Sequence, residues 1–382
     1  MSTEQNLKPI IKWAGGKEKE LKYILPNLPK FKRYFEPFVG GGSVFMAIQA
    51  SEYFINDRSA ELIALYNNIA TGNEFFFRYA NTIDNIWKEI ESFNENEELL
   101  KIYLSYRNGE INKTELKDSI AIFCVNNKNK INNLLKDIFS EYDKVLYKEI
   151  KINLCRKMSR MHDLELSKKQ LPEQDVKDNI LCALKSALYM LFRNIYNDNN
   201  VKVSMPEFHN ALFLYIRNYS YSGMFRYNTK GEFNVPYGGI GYNTKTLQKK
   251  IEYYKSNNLR IHLNKAQIYN LDFEDFLRET TPCENDFIFL DPPYDSDFST
   301  YAQNEFTRKD QERLAEFLLT KCKAKWMLVI KNTDFIYNLY SNREGINILT
   351  FDKNYLVSFM NRNNKKTEHL LITNYTTSTI IS

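Results

Sequence analysis

The stretch NDFIFLDPPYDSDF, residues 285–298, drives an apolar run straight into two prolines, with Asp291 before them and Tyr294 after. Phe287, Ile288, Phe289 and Leu290 show no polar alternation, so the run reads as a strand covered on both faces, as in a parallel sheet flanked by helices. Ligand sites of such sheets lie beyond the strand carboxyl ends, where Asp291, Pro292, Pro293 and Tyr294 fall. Each proline lacks a backbone donor and fixes φ, so the ladder ends in a stiff turn offering mainly acceptors. A bare proline pair reads more simply as a strand terminator followed by solvated acids, Asp295 and Asp297. The Asp-Pro-Pro-Tyr order argues for a site.

Composition bounds the rest. The 382 residues are 43% hydrophobic and 14% aromatic, enough for a substantial core and two domains. Cys124, Cys155, Cys182, Cys283 and Cys322 form no C-x-x-C pair, and their odd count argues against a disulfide framework. A reducing cytoplasm is expected. His162, His209, His262 and His369 show no H-x-x-x-H spacing, so no metal is expected in catalysis. No apolar stretch approaches the roughly 18 residues of a membrane helix, which predicts a soluble protein.

The net charge of +5 is unevenly placed. Residues 1–33 hold eight lysines or arginines against three glutamates, and residues 201–260 hold nine against three acidic side chains. Two basic patches on a near-neutral background suggest a polyanion partner, with a solvated basic face as the plain alternative. The second patch also carries eight tyrosines between Tyr215 and Tyr254, a combination able to neutralise phosphates and stack on bases.

YFEPFVGGGSVFMAI, residues 34–48, reads as a strand, a glycine turn and the start of a helix. Phe38, Gly40 and Gly42 form an F-x-G-x-G pattern whose glycines let backbone approach a ligand closely. EYFIND then ends at Asp57, fifteen residues beyond Gly42, where an acid can accept hydrogen bonds from ribose hydroxyls. Glycine turns after strands are also common as plain structure. Residues 75 to about 200 carry helical periodicity with few prolines or glycines and read as a helical insertion, with NNKNKINN and NDNN as surface turns. Strand signals resume at LRIHLNKAQIYNLDF, ENDFIFLDPPY, AKWMLVIKN, INILTF and EHLLITNY. Alternating with helices such as 307–321, they predict a doubly wound α/β sheet with a late antiparallel hairpin.

Four blocks, in order, carry a resemblance to the Dam-type DNA adenine-N6 methyltransferases: IKWAGGK at 11–17, FEPFVGGGSVF at 35–45, FRYNTKGEFNVP at 225–236 and DPPY at 291–294. With Asp57 and the terminal EHLLITNY the match leaves only the insertion uncovered. The resemblance implies a Rossmann-like methyltransferase sheet formed by 1–72 and 262–382, with 73–261 as a largely helical recognition domain containing a β-hairpin. It implies S-adenosylmethionine as cofactor and methyl donor. Trp13, Lys17, Asp57 and Asp291 would contact the donor, and Phe38, Gly40 and Gly42 would lie beside it. Asp272 and Phe273 would flank its adenine, although an Asp-Phe pair can equally be a helix cap and a core anchor.

In this reading Asp291 and the Pro292 carbonyl hold the adenine amino group, while Tyr294 stacks on a base flipped out of double-stranded DNA. Direct transfer of this kind needs no metal. Target recognition falls to residues 201–261 and their hairpin: Arg226 on a guanine, Tyr221 as a wedge, Met224 and Pro236 at a thymine methyl, with Ser222 and Asn228 nearby, while Lys12 matches a basic residue at the first guanine. GATC or a related palindrome is expected, as is a monomer. Ser222 stands where close relatives have asparagine, and IKN at 330–332 replaces their I-S-N. A longer site and functional pairing with a restriction endonuclease therefore stay open. Cytosine-N4 enzymes typically have Ser at the position of Asp291, protein or RNA enzymes Asn, and a non-catalytic regulator would show decay in the turn or glycine loop.

Overall fold

The computed structural model describes residues 7–95, 97–136, 138, 140–294, 306–354 and 366–377, so Asp295 and Asp297 lie outside it. The chain divides into two units, residues 1–72 with 254–382, and residues 73–253.

In the first unit, β1 (Arg33–Glu36), β2 (Glu52–Asn56), β3 (Ala266–Tyr269), β4 (Phe287–Leu290), β5 (Lys325–Lys331), β6 (Asn347–Asn354) and β7 (Lys366–Thr373) form one sheet of order β3-β2-β1-β4-β5-β7-β6. The first five strands run parallel, and β7 is antiparallel to both β5 and β6. All four residues of β4 are fully buried, the environment its unbroken apolar run requires. From β1 the chain order proceeds outward to β3 on one side, while β4 and β5 lie on the other. The β1/β4 seam is therefore the point where a doubly wound sheet binds ligands.

Two local readings change. LRIHL is not strand but part of the Asn257–Leu263 helix, because Leu259, His262 and Leu263 recur at helical spacing and all three are buried. The glycine turn opens only a 3₁₀ turn, Phe45–Ala47, rather than a helix.

The second unit is helical. Its longest helices, Asp143–Ser167 and Glu173–Tyr196, pack against one another. The NNKNKINN stretch forms much of the Lys128–Leu135 helix, which turns Ile131, Leu134 and Leu135 inward. In NDNN, Asp198 caps the Asn199–Ser204 helix by accepting the Asn200 amide proton at 2.8 Å. The unit ends its helical run at Pro206–Tyr219 and passes into an antiparallel ribbon bridged at Ser220–Tyr237 and Tyr227–Phe233. No helix among the described residues is long and apolar enough to cross a membrane.

Candidate active site and recognition hairpin

At the carboxyl end of β2, Asp57 Oδ2 accepts the Gly40 amide at 3.0 Å and Oδ1 accepts the Ser59 amide at 2.9 Å. Burial pushes this carboxyl up to about 6, while the backbone donors pull the other way. Buried Asn56 clamps three segments: its Nδ2 donates to the Pro37 and Leu271 carbonyls at 3.0 and 3.1 Å, and its Oδ1 accepts the Leu271 amide at 2.8 Å. The glycines are sterically required here. Gly40 has φ +50°, and a Cβ there would stand 2.8 Å from Trp13 Cδ1; at Gly42, with φ +80°, it would stand 2.5 Å from the Tyr66 hydroxyl. That hydroxyl donates to the Gly40 carbonyl at 3.0 Å.

Across the seam, the Lys17 ammonium is buried at 2% exposure and ion-pairs with Asp291 Oδ1. It also donates to the Gly15 carbonyl at 2.9 Å and to the Tyr294 hydroxyl at 3.2 Å. That hydroxyl lies 3.3 Å from Nε2 of fully buried His369 on β7, so Tyr294 is held from two sides. The Pro293 carbonyl accepts the Gln311 amide at 2.9 Å, whereas the Pro292 carbonyl has no hydrogen-bond donor among the described residues. Glu36 at the end of β1 is buried and accepts the Tyr34 hydroxyl at 2.7 Å. Burial pushes its carboxyl well above the usual range, an effect the tyrosine partly offsets.

Phe38, Phe273 and Phe306 form an aromatic cluster, with ring centroids 5.5–5.8 Å apart. Asp272 is the N-cap of the Phe273–Thr280 helix, accepting the Glu274 amide at 3.0 Å, and its other oxygen binds Arg313 at 2.9 Å. Phe273 is 3% exposed. Asp272 thus caps this helix and Phe273 is a buried anchor in the structure.

In the second unit the ribbon has two faces. Phe225, Phe233, Val235 and Tyr237 are buried, while Tyr221, Ser222, Arg226 and Pro236 are exposed and Met224 is half-buried. Period-two alternation accounts for this division from Phe225 to Arg226 and from Phe233 to Tyr237, while Tyr221 and Ser222 are exposed in the 3₁₀ turn Tyr221–Gly223. Asn197, at the end of the Glu173–Tyr196 helix, anchors the ribbon by donating to the Phe233 carbonyl at 3.0 Å and accepting the Phe233 amide at 2.8 Å. Arg226 Nε donates to Asn234 Oδ1 at 3.1 Å. Asn228 is spent within the turn, where it accepts the Lys230 and Glu232 amides and donates to the Glu232 carboxylate, each at 2.9 Å. Ser222 sits in the left-handed region at φ +53°. Of the eight tyrosines in the basic segment only Tyr221 is exposed; Tyr215, Tyr219, Tyr237 and Tyr254 are core residues. Lys12 and the half-buried Trp13 belong to the first unit.

Residues 13–356 match the family model of the D12 class N6 adenine-specific DNA methyltransferases. The chain belongs to that family. The methyltransferase is 26% identical over 377 residues to the Type II methyltransferase M.CviBI of Paramecium bursaria Chlorella virus NC1A, covering 97% of this chain and 100% of the relative. It is 28% identical over 361 residues to the Type II methyltransferase M.MjaIII of Methanocaldococcus jannaschii, covering 90% of each. To the DNA adenine methylase of Escherichia coli strain K12 it is 24% identical over 333 residues, covering 85% of this chain and 80% of the relative.

The structure also brings to these candidate residues partners that sequence reading passed over. Asn56 directly precedes Asp57, and Asn234 lies inside the quoted FRYNTKGEFNVP block, so position alone could have flagged both. Gln311 and His369 carry no local signal, because their importance lies in contacts 18 and 75 residues away.

Proposed function

We propose that this adenine-specific DNA methyltransferase takes its methyl group from S-adenosylmethionine and delivers it to an adenine flipped out of double-stranded DNA, at GATC or a related short palindrome. The observation that carries this reading is the Asp291–Tyr294 turn at the carboxyl end of β4, with Lys17 paired to Asp291. In this reading the first unit performs the chemistry and the second reads the sequence.

The residues present fit that donor. Asp57 keeps acceptor capacity for ribose hydroxyls, since its two carboxylate oxygens offer more lone pairs than the Gly40, Ser59 and Arg58 amides occupy. The bare backbone at Gly40 and Gly42 admits a close neighbour, Trp13 lies over the turn, Lys17 offers a cation to a carboxylate, and Phe38 an apolar face to a base. When bound, the donor supplies an electrophilic sulfonium methyl.

Adenine N6 is a poor nucleophile because its lone pair is delocalised into the ring. Asp291 and the Pro292 carbonyl accept its two hydrogens and turn that lone pair outward, so catalysis is positioning and electrostatics. Pro292 takes this part because the Pro293 carbonyl is already engaged by Gln311. Tyr294, fixed through its hydroxyl, stacks on the extruded base. On the hairpin, Arg226 reads a guanine, Tyr221 wedges into the stack, Met224 and Pro236 meet a thymine methyl, Ser222 sits beside the wedge, and Asn228 shapes the turn that carries them. Lys12 meets the first guanine.

A longer site within a restriction-modification pair is the second reading. It is favoured by Ser222 in place of the family asparagine and by two relatives being Type II methyltransferases. The test is incubation with labelled S-adenosylmethionine and a plasmid lacking adenine methylation, followed by mapping of every modified base. Methylated adenines confined to GATC support the first reading, and another motif supports the second. Absence of transfer despite donor binding overturns both.

A further inference from the structure

We propose that Gln311 is a positioning residue for methyl transfer, setting the orientation of the Pro292 carbonyl by holding the carbonyl of Pro293. The inference rests on the catalytic reading of the Asp-Pro-Pro-Tyr turn given above.

A turn made of two prolines has no N–H of its own between Asp291 and Tyr294, so the sheet cannot hold it through donors. Carbonyls and side chains are its only handles. Gln311 Nε2 grips the Pro293 carbonyl at 2.9 Å. The Pro293 ring locks φ, so the peptide plane bearing the Pro292 carbonyl is tied to the plane bearing the Pro293 carbonyl through one free torsion, ψ of Pro293. Gripping one carbonyl therefore restrains the other.

The grip comes from a rigid element. Gln311 lies in the first turn of the Arg308–Thr320 helix, whose start is fixed by a capping box: the Thr307 amide donates to Asp310 Oδ2 at 2.8 Å, and Thr307 Oγ1 accepts the Asp310 amide at 3.4 Å. Leu314 and Leu318 of the same helix pack into the core cluster that contains Leu290, the last residue of β4.

Stability does not explain this glutamine. It is fully buried, and its Oε1 has no hydrogen-bond partner among the described residues. An unsatisfied buried acceptor is destabilising, and an apolar side chain of similar volume would remove it. What glutamine supplies, and leucine or methionine cannot, is the donor to Pro293.

The experiment compares Gln311→Leu, Gln311→Met and Asp291→Ala in the full chain with S-adenosylmethionine and a duplex carrying the mapped site. It measures single-turnover methyl transfer, KM for DNA, donor affinity and thermal midpoint. For both Gln311 variants we expect transfer to slow by about 10–100-fold, with KM and donor affinity within about twofold of wild type. The thermal midpoint should be unchanged or raised. Wild-type transfer in both variants, or a loss of rate that only tracks a fallen midpoint and weakened binding in both, would overturn the inference. Substantial turnover in Asp291→Ala would instead overturn the reading of the turn itself, so the two failures are distinguishable.

Discussion

The Asp57 carboxylate accepts the Gly40 amide at 3.0 Å, which ties the end of β2 to the glycine turn that follows β1. Burial raises this acid to about 6, above its unfolded value, so protonation favours the free fold: that contribution is fully present below the unfolded pKa and lost as pH rises through about 6. Donor binding through ribose hydroxyls needs the opposite, the ionised form. Affinity for S-adenosylmethionine is therefore expected to fall about tenfold per unit as pH drops below about 6, and Asp57→Asn should weaken binding and flatten the dependence. Calorimetric titration from pH 5 to 8 checks this, and a flat wild-type profile would remove Asp57 from the donor site.

Gly40→Ala should cost donor affinity more than stability. The left-handed backbone costs roughly 1–2 kcal/mol in any residue with a Cβ, and the new atom would stand 2.8 Å from Trp13 Cδ1, displacing the ring over the turn. Donor affinity and urea unfolding measured on the same sample decide which loss is larger.

Lys17→Met keeps the apolar stem but strips the cation from Asp291, leaving a mostly buried carboxylate without its ion pair. A stability loss of about 3 kcal/mol is expected, at the lower end for a broken buried pair because Asp291 retains 17% exposure. Methyl transfer should fall with it, while hairpin-mediated DNA binding persists in a gel-shift assay.

Arg226→Ala should cost about 1–3 kcal/mol at a single base position. Asn234→Ala, which only releases the Arg226 Nε held at 3.1 Å, should loosen the same position less. Methylation of a library of single-base site variants checks both. Equal weakening on every sequence would make Arg226 a phosphate contact.

His262 is buried against Phe45 and Tyr53, with Nε2 3.1 Å from the Phe45 carbonyl, and burial lowers its pKa to about 4. Below the unfolded value near 6.5 the unfolded chain gains a proton that the fold refuses, so stability is lost as pH falls from about 6.5 towards 4. The loss is on the order of 3 kcal/mol. Chemical denaturation at pH 7 and pH 4.5 should show this drop in the wild type and a smaller one in His262→Phe.

The unbroken run Phe287–Leu290, the glycine turn and the order of the four blocks were enough to fix a doubly wound sheet, because burial on both faces and the need for bare backbone leave few residue choices. The family's chemistry was readable only through the resemblance that the four blocks carry together; the Asp-Pro-Pro-Tyr turn by itself showed a stiff, acceptor-rich strand end. Leu259–Leu263 shows where local reading fails: a short apolar run is compatible with strand or helix until its neighbours bury one face. Tertiary structure alone decided that Gln311 meets Pro293 and His369 meets Tyr294, and that four of the eight tyrosines of the basic segment are core while Tyr221 is exposed. Those outcomes depend on contacts between elements distant in the chain, and no residue's identity encodes which partner the packing of the sheet and helices will bring to it.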